Sequence, residues 1–284
     1  MPLLKIILGP TASGKTDYAI RLAKEYGSPV ISCDSRQIFK EMSIGTAKPD
    51  REQLSAVRHY FIGTRSVSED YTAGLYEIEA LELLEDLFKT HEVLIMAGGS
   101  GLYIDALCNG LDDFPPADQE LRSSLNRRLE TEGVESLRRE LRLLDPESYD
   151  TIDIANSQRI IRAVEVTLAT GRKFSSFKTS PRKKRPFEIE KIGLTRPRAE
   201  LYGRIDRRVD KMLEDGLVEE ARGLLEYRRR PALNTVGYKE LFDYFDGKTS
   251  LEEAVRLIKR NTRHYAKRQM TWWRRDTSIT WMEP

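Results

Sequence analysis

The sequence predicts an α/β protein: a P-loop NTPase-like core, with a parallel sheet flanked by helices, plus a mostly helical insertion domain. Three observations carry this. An apolar run ends in GPTASGKT, Gly9 to Thr16, and a helical pattern follows at once. Other short apolar runs also end in polar or glycine-rich residues, as parallel strands do when they deliver a site along one sheet edge. The middle of the chain changes character and carries apolar residues at helical spacing.

Leu3 to Leu8 reads as the first strand, and Thr16 to Tyr26 as a helix with Ala19, Leu22, Ala23 and Tyr26 on its apolar face, closed by Gly27. Pro29 to Cys33 is a second strand, ending at Asp34. His59 to Ile62 is a weaker candidate, and Val93 to Ala97 a clear one that ends in GGSGLY, Gly98 to Tyr103. After DDFPPAD, Asp112 to Asp118, helices follow: Leu121, Leu125 and Leu129; then Val134, Leu137, Leu141 and Leu144; then Ile160, Ile161, Val164 and Leu168 before Gly171. SSFKTSPRKKRP, Ser175 to Pro186, is a basic connector, and Glu188 to Leu194 returns as a strand. The expected division is a core of 1–112 and 188–284 with a helical insertion of 113–187. Helices are expected again from about Ala199 to Arg230 and from Leu251 to Arg275.

With 284 residues, 39% of them hydrophobic, the chain can fill a sizeable core. Its charges nearly cancel to +2, but they are unevenly placed. Met1 to Ser180 holds 22 basic against 28 acidic residues, and Pro181 to Pro284 holds 25 against 17, a change from −6 to +8. An anionic macromolecule is therefore expected against the last third. No apolar run is long enough for a membrane helix, and the N-terminus passes straight into the loop, so a cytoplasmic protein with no membrane partner is expected. Cys33 and Cys108 read as ordinary reduced thiols, and His59, His91 and His264 are too scattered for a metal cluster.

In a G-x-x-x-x-G-K-[ST] loop the glycines let backbone N–H groups converge on phosphate oxygens. The helix N-terminus adds positive potential, Lys15 reaches the outer phosphate, and Thr16 can ligate Mg²⁺. Such a loop implies a di- or triphosphate but not its hydrolysis. An NTPase also needs a strand-end Asp for its magnesium shell. Val93 to Ala97 ends in Gly98 and Gly99 instead, leaving Asp34 as the one well-placed carboxylate. It reads equally as a metal-shell ligand, a turn cap or a base.

Eight motifs, in order, resemble those of the tRNA dimethylallyltransferases: GPTASGKT at Gly9, ISCDSRQIF at Ile31, IGTAKP at Ile44, GGSGLY at Gly98, QRIIRAVEV at Gln158, RIDRRVDKMLEDGLVEE at Arg204, TVGYKEL at Thr235 and YAKRQMTWWRR at Tyr265. The resemblance implies transfer of the dimethylallyl group of dimethylallyl diphosphate to the 6-amino group of the adenosine at tRNA position 37. It makes Asp34 the general base and Arg208 a holder of the leaving diphosphate. Gly9, Pro10, Thr11, Ala12, Ser13, Gly14, Lys15 and Thr16 would cradle that diphosphate with Mg²⁺. Ser100 stands where the family usually has Thr and, keeping the hydroxyl, is the third implied catalytic residue beside Asp34 and Arg208, able to hydrogen-bond the target base or the reacting centre. The implied tRNA contacts are Asp34, Ser35, Arg36, Gln37, Ser100, Arg122, Gln158, Arg159, Ile160, Ile161 and Arg162. IANSQR, where the family often has an Asn-Asp-Pro-like turn, is a departure beside Gln158.

Independently of the resemblance, Arg256, Arg260, Arg263, Lys267 and Arg274 fall within about 60° of one another on a helix, one basic stripe. With the basic connector at Arg182 to Arg185, this points to RNA phosphate contact. Trp272, Trp273 and Trp281 read as packing residues. The expectation is thus a monomeric prenyltransferase acting on the tRNA anticodon stem-loop. An adenine-nucleotide prenyltransferase, a P-loop small-molecule kinase and an RNA-binding protein without catalysis are the rivals.

Overall fold

The structure is a computed structural model that describes residues 1–112, 114–178 and 183–284. Arg182 of the basic connector lies outside the described residues. The chain forms two compact units, one of 1–108 and 184–284 and one of 109–183.

The first unit is built on six strands: β1 (Leu3–Leu8), β2 (Val30–Ser32), β3 (His59–Tyr60), β4 (Val93–Ala97), β5 (Glu188–Leu194) and β6 (Ile279–Met282). They form one sheet in the order β3-β2-β4-β1-β5-β6, parallel at every pairing. Parallel strands need crossovers, and helices α1 (Lys15–Tyr26), α2 (Arg51–Ala56), α3 (Ala73–Leu87) and α4 (Gly101–Asn109) occupy them. Strand alternation sends Ile7, Val30, Ile95 and Ile192 toward Ala19 and Ala23 of α1. On α3, buried Tyr76 donates to Ser32 O at 3.1 Å and stacks on Tyr103 of α4 at 4.5 Å.

The second unit holds α5 (Gln119–Glu132), α6 (Val134–Leu144), α7 (Pro146–Thr151) and α8 (Ser157–Thr170). Leu125, Leu137, Leu141, Ile160, Ile161 and Val164 make its core, so the helical spacing read from the sequence is that of buried faces. Asp145 is fully buried between α6 and α7. It accepts Ser148 N at 3.1 Å, Ser148 Oγ at 2.5 Å, Ser175 N at 2.7 Å and Ser175 Oγ at 3.0 Å, which ties down the start of the connector.

The chain then returns to the first unit through β5 and continues in α9 (Arg198–Glu214), α10 (Leu217–Gly223), α11 (Tyr238–Phe245) and α12 (Leu251–Trp273). The helical stretch expected from about Ala199 to Arg230 is divided into separate helices. Gly216, at φ 99°, ends α9 by turning the chain into α10, and short 3₁₀ turns follow. β6 was not expected, because its four residues, ITWM, are too few to carry a pattern of their own and pair as a strand with β5. Trp273 is buried and Trp281 packs its ring over Gly193, both as packing residues.

Burial opposes the charge of Asp145, but the hydrogen bonds from Ser148 and Ser175 outweigh it and hold the carboxyl below its usual range. A depressed carboxyl adds stability that is present above the unfolded value of about 3.9 and is lost as pH falls through the lower folded one. Asp145→Ala leaves two backbone N–H groups without their acceptor, so chemical denaturation should show a loss of about 2 to 4 kcal/mol. Asp145→Asn should flatten the fall in stability at acid pH; an unchanged acid limb would contradict this role.

Candidate active site

The site lies along the carboxyl ends of β1, β4 and β2, neighbouring strands that are far apart in sequence. A cavity of about 320 Å³ opens there, and its walls include Thr11, Lys15, Thr16, Asp34, Gln37 and Arg208.

The loop after β1 takes a backbone path that its sequence permits. Gly9 has φ 144°, Ala12 φ 65° and Gly14 φ 101°. A side chain at Gly9 would come within 2.3 Å of Leu194 O, so the loop passes directly beneath β5. Arginines hold the loop from outside: Arg196 Nε donates to Ser13 O at 3.1 Å and Arg204 Nε to Ala12 O at 2.8 Å. Lys15 curls over its own loop, donating to Gly9 O at 2.9 Å and Pro10 O at 2.7 Å. Arg208 Nη1 reaches Thr11 Oγ1 at 3.3 Å.

Among the described residues neither Lys15 nor Arg208 forms an ion pair. Burial first, and the Arg208 guanidinium second, lower the Lys15 ammonium to about 8, against the attraction of Asp34. Two half-buried cations without an ion-pair partner among the described residues, beside a glycine-bearing loop at the start of α1, suit a polyanion.

The glycines at the end of β4 also have a steric reason. A Cβ at Gly98 would lie 2.6 Å from the Cys33 backbone, and one at Gly99 would lie 2.4 Å from Gln269 Nε2. No aspartate fits where an NTPase would carry one. Gln269 of α12, 6% exposed, bridges the two motifs: its Oε1 accepts from Thr11 N at 2.8 Å and its Nε2 donates to Gly99 O at 2.9 Å. Composition gave no sign of this residue; its place in YAKRQMTWWRR was the available signal. Trp272 packs its ring against Gly101 and donates Nε1–H to Asp105 Oδ2 at 2.9 Å.

Asp34 Oδ1 accepts from Arg36 N at 2.8 Å and Gln37 N at 3.2 Å, so one oxygen caps the turn after β2. Ser100 joins the same turn: its Oγ accepts from Ser35 N at 2.8 Å and meets Ser35 Oγ at 3.0 Å. Asp34, Ser35, Arg36, Gln37 and Ser100 are thus brought together with the phosphate loop and Arg208. The thiol of Cys33, behind Asp34, is fully buried and pushed up by that burial, then by the Asp34 charge, which fits an inert thiol.

The donor set suits a hard cation shared with phosphate. Among the described residues no three His, Cys, Asp or Glu gather to hold a metal alone. Mg²⁺ does not need such a cage, since it takes one or two protein oxygens together with phosphate oxygens and water. The Thr16 hydroxyl, in the first turn of α1 and lining the cavity, is such an oxygen.

The remaining expected contacts lie in the second unit. Arg122 and Arg162 are half-buried and both hold Glu165 Oε2, at 2.6 and 3.2 Å, while Arg162 also donates to Pro115 O at 2.6 Å. Glu165 is buried, and its Oε1 has no partner. Asn156 caps α8 by accepting from Gln158 N and Arg159 N at 3.1 and 3.3 Å, so the departing IANSQR segment still forms an ordered helix start at Gln158. The expectation that Ile160 and Ile161 touch RNA is corrected for their side chains, which are 0% and 1% exposed in this unit's core.

The basic features also need correcting. Arg185 is turned inward in the first unit, donating to Leu107 O at 2.6 Å, Ala106 O at 2.9 Å and Glu77 Oε1 at 2.8 Å. It caps the end of α4 and is not a free phosphate contact. Within the α12 stripe, Arg263 pairs with Asp206 at 2.5 Å and Arg256 with Glu253 at 2.6 Å. Lys267 and Arg274 are exposed and have no carboxylate partner among the described residues.

A family profile described as IPP transferase matches residues 37–276. The chain is 49% identical to tRNA dimethylallyltransferase 1 of Bacteroides thetaiotaomicron over 284 residues, covering 100% of this chain and 92% of that protein. It is 52% identical over 281 residues to tRNA dimethylallyltransferase 2 of Porphyromonas gingivalis, covering 99% and 94%. Among solved structures it resembles a tRNA isopentenylpyrophosphate transferase from Bacillus halodurans, with 37% identity, TM-score 0.73 and coverage of 99% and 90%. It also resembles a eukaryotic dimethylallyltransferase acting on tRNA, with 26% identity, TM-score 0.80 and coverage of 99% and 74%.

Lys15 yields a test of the cradle. An anion beside the ammonium raises its value, so inorganic diphosphate should bind with proton uptake near pH 8, and binding should weaken as pH rises above about 8. Calorimetry in buffers of different ionisation heat should show this uptake in the wild type and less of it in Lys15→Ala. Equal uptake in both would place the titrating group elsewhere.

Proposed function

The chain belongs to the IPP transferase family, the tRNA dimethylallyltransferases, and from that premise we propose how this site performs the transfer. The dimethylallyl group of dimethylallyl diphosphate passes to the 6-amino group of adenosine at position 37 of a tRNA anticodon stem-loop, and diphosphate leaves. The observation that carries this reading is the pair of half-buried cations without an ion-pair partner among the described residues, Lys15 and Arg208, in one cavity with Asp34, and with glycines rather than an aspartate at the end of β4.

The carbon–oxygen bond to the diphosphate breaks as the carbon–nitrogen bond to the base forms. Lys15, Arg208 and the N–H groups of the Gly9 to Thr16 loop hold the charge that grows on the leaving oxygens, a preorganised electrostatic role. Thr16 would hold Mg²⁺, which neutralises phosphate charge when bound. The 6-amino nitrogen is a weak nucleophile because its lone pair is delocalised into the ring, so a proton must be removed as the bond forms. Asp34 takes it: Oδ1 is held by Arg36 N and Gln37 N, and Oδ2 is left for the proton. The Ser100 hydroxyl keeps the turn that carries Asp34 in place. Arg122, Gln158, Arg159 and Arg162 are proposed to grip the anticodon stem-loop, and Lys267 and Arg274 its phosphates. The protein is proposed to act as a cytoplasmic monomer; among the described residues no helix is long and apolar enough to cross a membrane.

Purified protein with dimethylallyl diphosphate, Mg²⁺ and unmodified tRNA should release diphosphate and yield prenylated adenosine without ATP. Lys15→Ala and Arg208→Ala should each lower kcat by about 10² to 10³-fold, the usual effect of deleting one such donor. Asp34→Asn, which keeps the turn cap but cannot take a proton, should lose transfer while still binding diphosphate. Activity within twofold of wild type would remove that residue from the mechanism, and labelling of free AMP but not tRNA would establish a nucleotide prenyltransferase instead.

A further inference from the structure

One wall of the cavity is a loop of residues 43–48, and its hydrogen bonds converge on a single side chain. Glu220 of α10 accepts Ser43 N and Ile44 N on Oε2 at 2.9 and 2.8 Å, and Gly45 N on Oε1 at 2.9 Å. Tyr238, fully buried at the start of α11, donates its hydroxyl to the same Oε1 at 2.7 Å. Gly45 has to be glycine, because a Cβ would meet the Tyr238 hydroxyl at 2.6 Å. Ala47 is held at φ 49°, a left-handed conformation uncommon outside glycine.

With these N–H groups turned to Glu220, the carbonyls of Thr46 and Ala47 face Gln37. Gln37 Nε2 donates to both, at 3.1 and 2.9 Å. An amide nitrogen has two hydrogens, and both are used here. The cavity-lining Gln37 therefore has only its carbonyl oxygen left for a ligand. The reversed amide would set an oxygen against two carbonyl oxygens, so the loop decides which way the group points.

We propose that Glu220 is a positioning residue: by pinning the 43–48 loop it locks the Gln37 amide with its oxygen available to the bound nucleotide, so that the site takes an N–H donor, such as an exocyclic amino group of a base, and rejects an acceptor. This rests on the reading of the cavity as a tRNA-prenylating site. It differs from a merely stabilising role because Glu220 acts on one substrate, through one side chain. A Glu220→Gln amide can still accept from part of the loop, but its NH₂ then opposes an N–H or O–H donor, and the loop loses its fixed path.

The test is a double-mutant cycle in the tRNA-prenylation assay, with Glu220→Gln, Gln37→Ala and both together. Each single change should raise the KM for tRNA about tenfold, the worth of one hydrogen bond to the ligand. The KM for dimethylallyl diphosphate should stay within twofold. The double variant should be no worse than Gln37→Ala alone, since coupled residues are not additive. Tyr238→Phe, which removes one bond to Glu220 and keeps the ring, should raise the tRNA KM in the same direction by less, and it stands in if Glu220→Gln does not fold. Additive effects, an unchanged tRNA KM, or equal rises in both KM values would overturn the inference while wild-type transfer to tRNA leaves the reading of the site intact. If the wild type does not prenylate tRNA at all, the reading and the inference both fall.

Discussion

Two half-buried cations that form no ion pair among the described residues, Lys15 and Arg208, are the constraint around which the first unit is arranged. Drawing charge out of water without a partner is costly, and a bound polyanion would relieve that cost. Lys15 leans on the carbonyls of Gly9 and Pro10, and its ammonium is lowered to about 8. The surrounding structure keeps carboxylates away from that spot. Gly98 and Gly99 leave no room for one at the end of β4, and Asp34 is held at the next strand end with one oxygen committed to its own turn. A site with an aspartate beside the lysine would neutralise part of the charge that the proposed leaving diphosphate would need.

The same glycines explain why β1, β2 and β4 can be drawn together so closely. Gln269 reaches from α12 into the gap and ties Thr11 to Gly99, so the C-terminal helix is part of the floor of the site. The loop of 43–48 is fixed from the opposite direction by Glu220 and Tyr238. Both devices join residues separated by more than a hundred positions in the chain, as between Thr11 and Gln269 or between Ser43 and Glu220.

That separation sets what was legible in the sequence. The phosphate loop, the strands feeding it and the helical spacing of the second unit are local patterns, and local sterics and periodicity suffice to read them. Asp34 was legible as the one strand-end carboxylate, but that one of its oxygens caps the turn needed the hydrogen bonds of Arg36 and Gln37. Gln269, Glu220 and Glu165 stood inside or beside quoted motifs without a local reason to be singled out. Arg185 misled for the converse reason: a run of basic residues looks solvated, and only the tertiary fold shows this one capping α4 beside Glu77. Ile160 and Ile161 likewise belong to a motif with polar neighbours, yet the helical period turns their side chains into the core.

The acidic surplus of the first 180 residues is therefore less visible from outside than the sequence suggests. Asp145, Glu165 and Glu77 are 0%, 1% and 7% exposed, and each is bound to groups of its own unit. Glu165 shows what such a carboxylate does. One oxygen holds both Arg122 and Arg162 while the other has no partner, an arrangement poorer for stability than an apolar residue of the same size. What it gains is orientation: two guanidinium groups, each about one-third exposed at 35% and 27%, are fixed from beneath with their outer faces open. With Glu165 turned inward beneath them, Arg122 and Arg162 present local charge that a net +2 does not record, and a polyanion as large as tRNA responds to such local charge rather than to the sum.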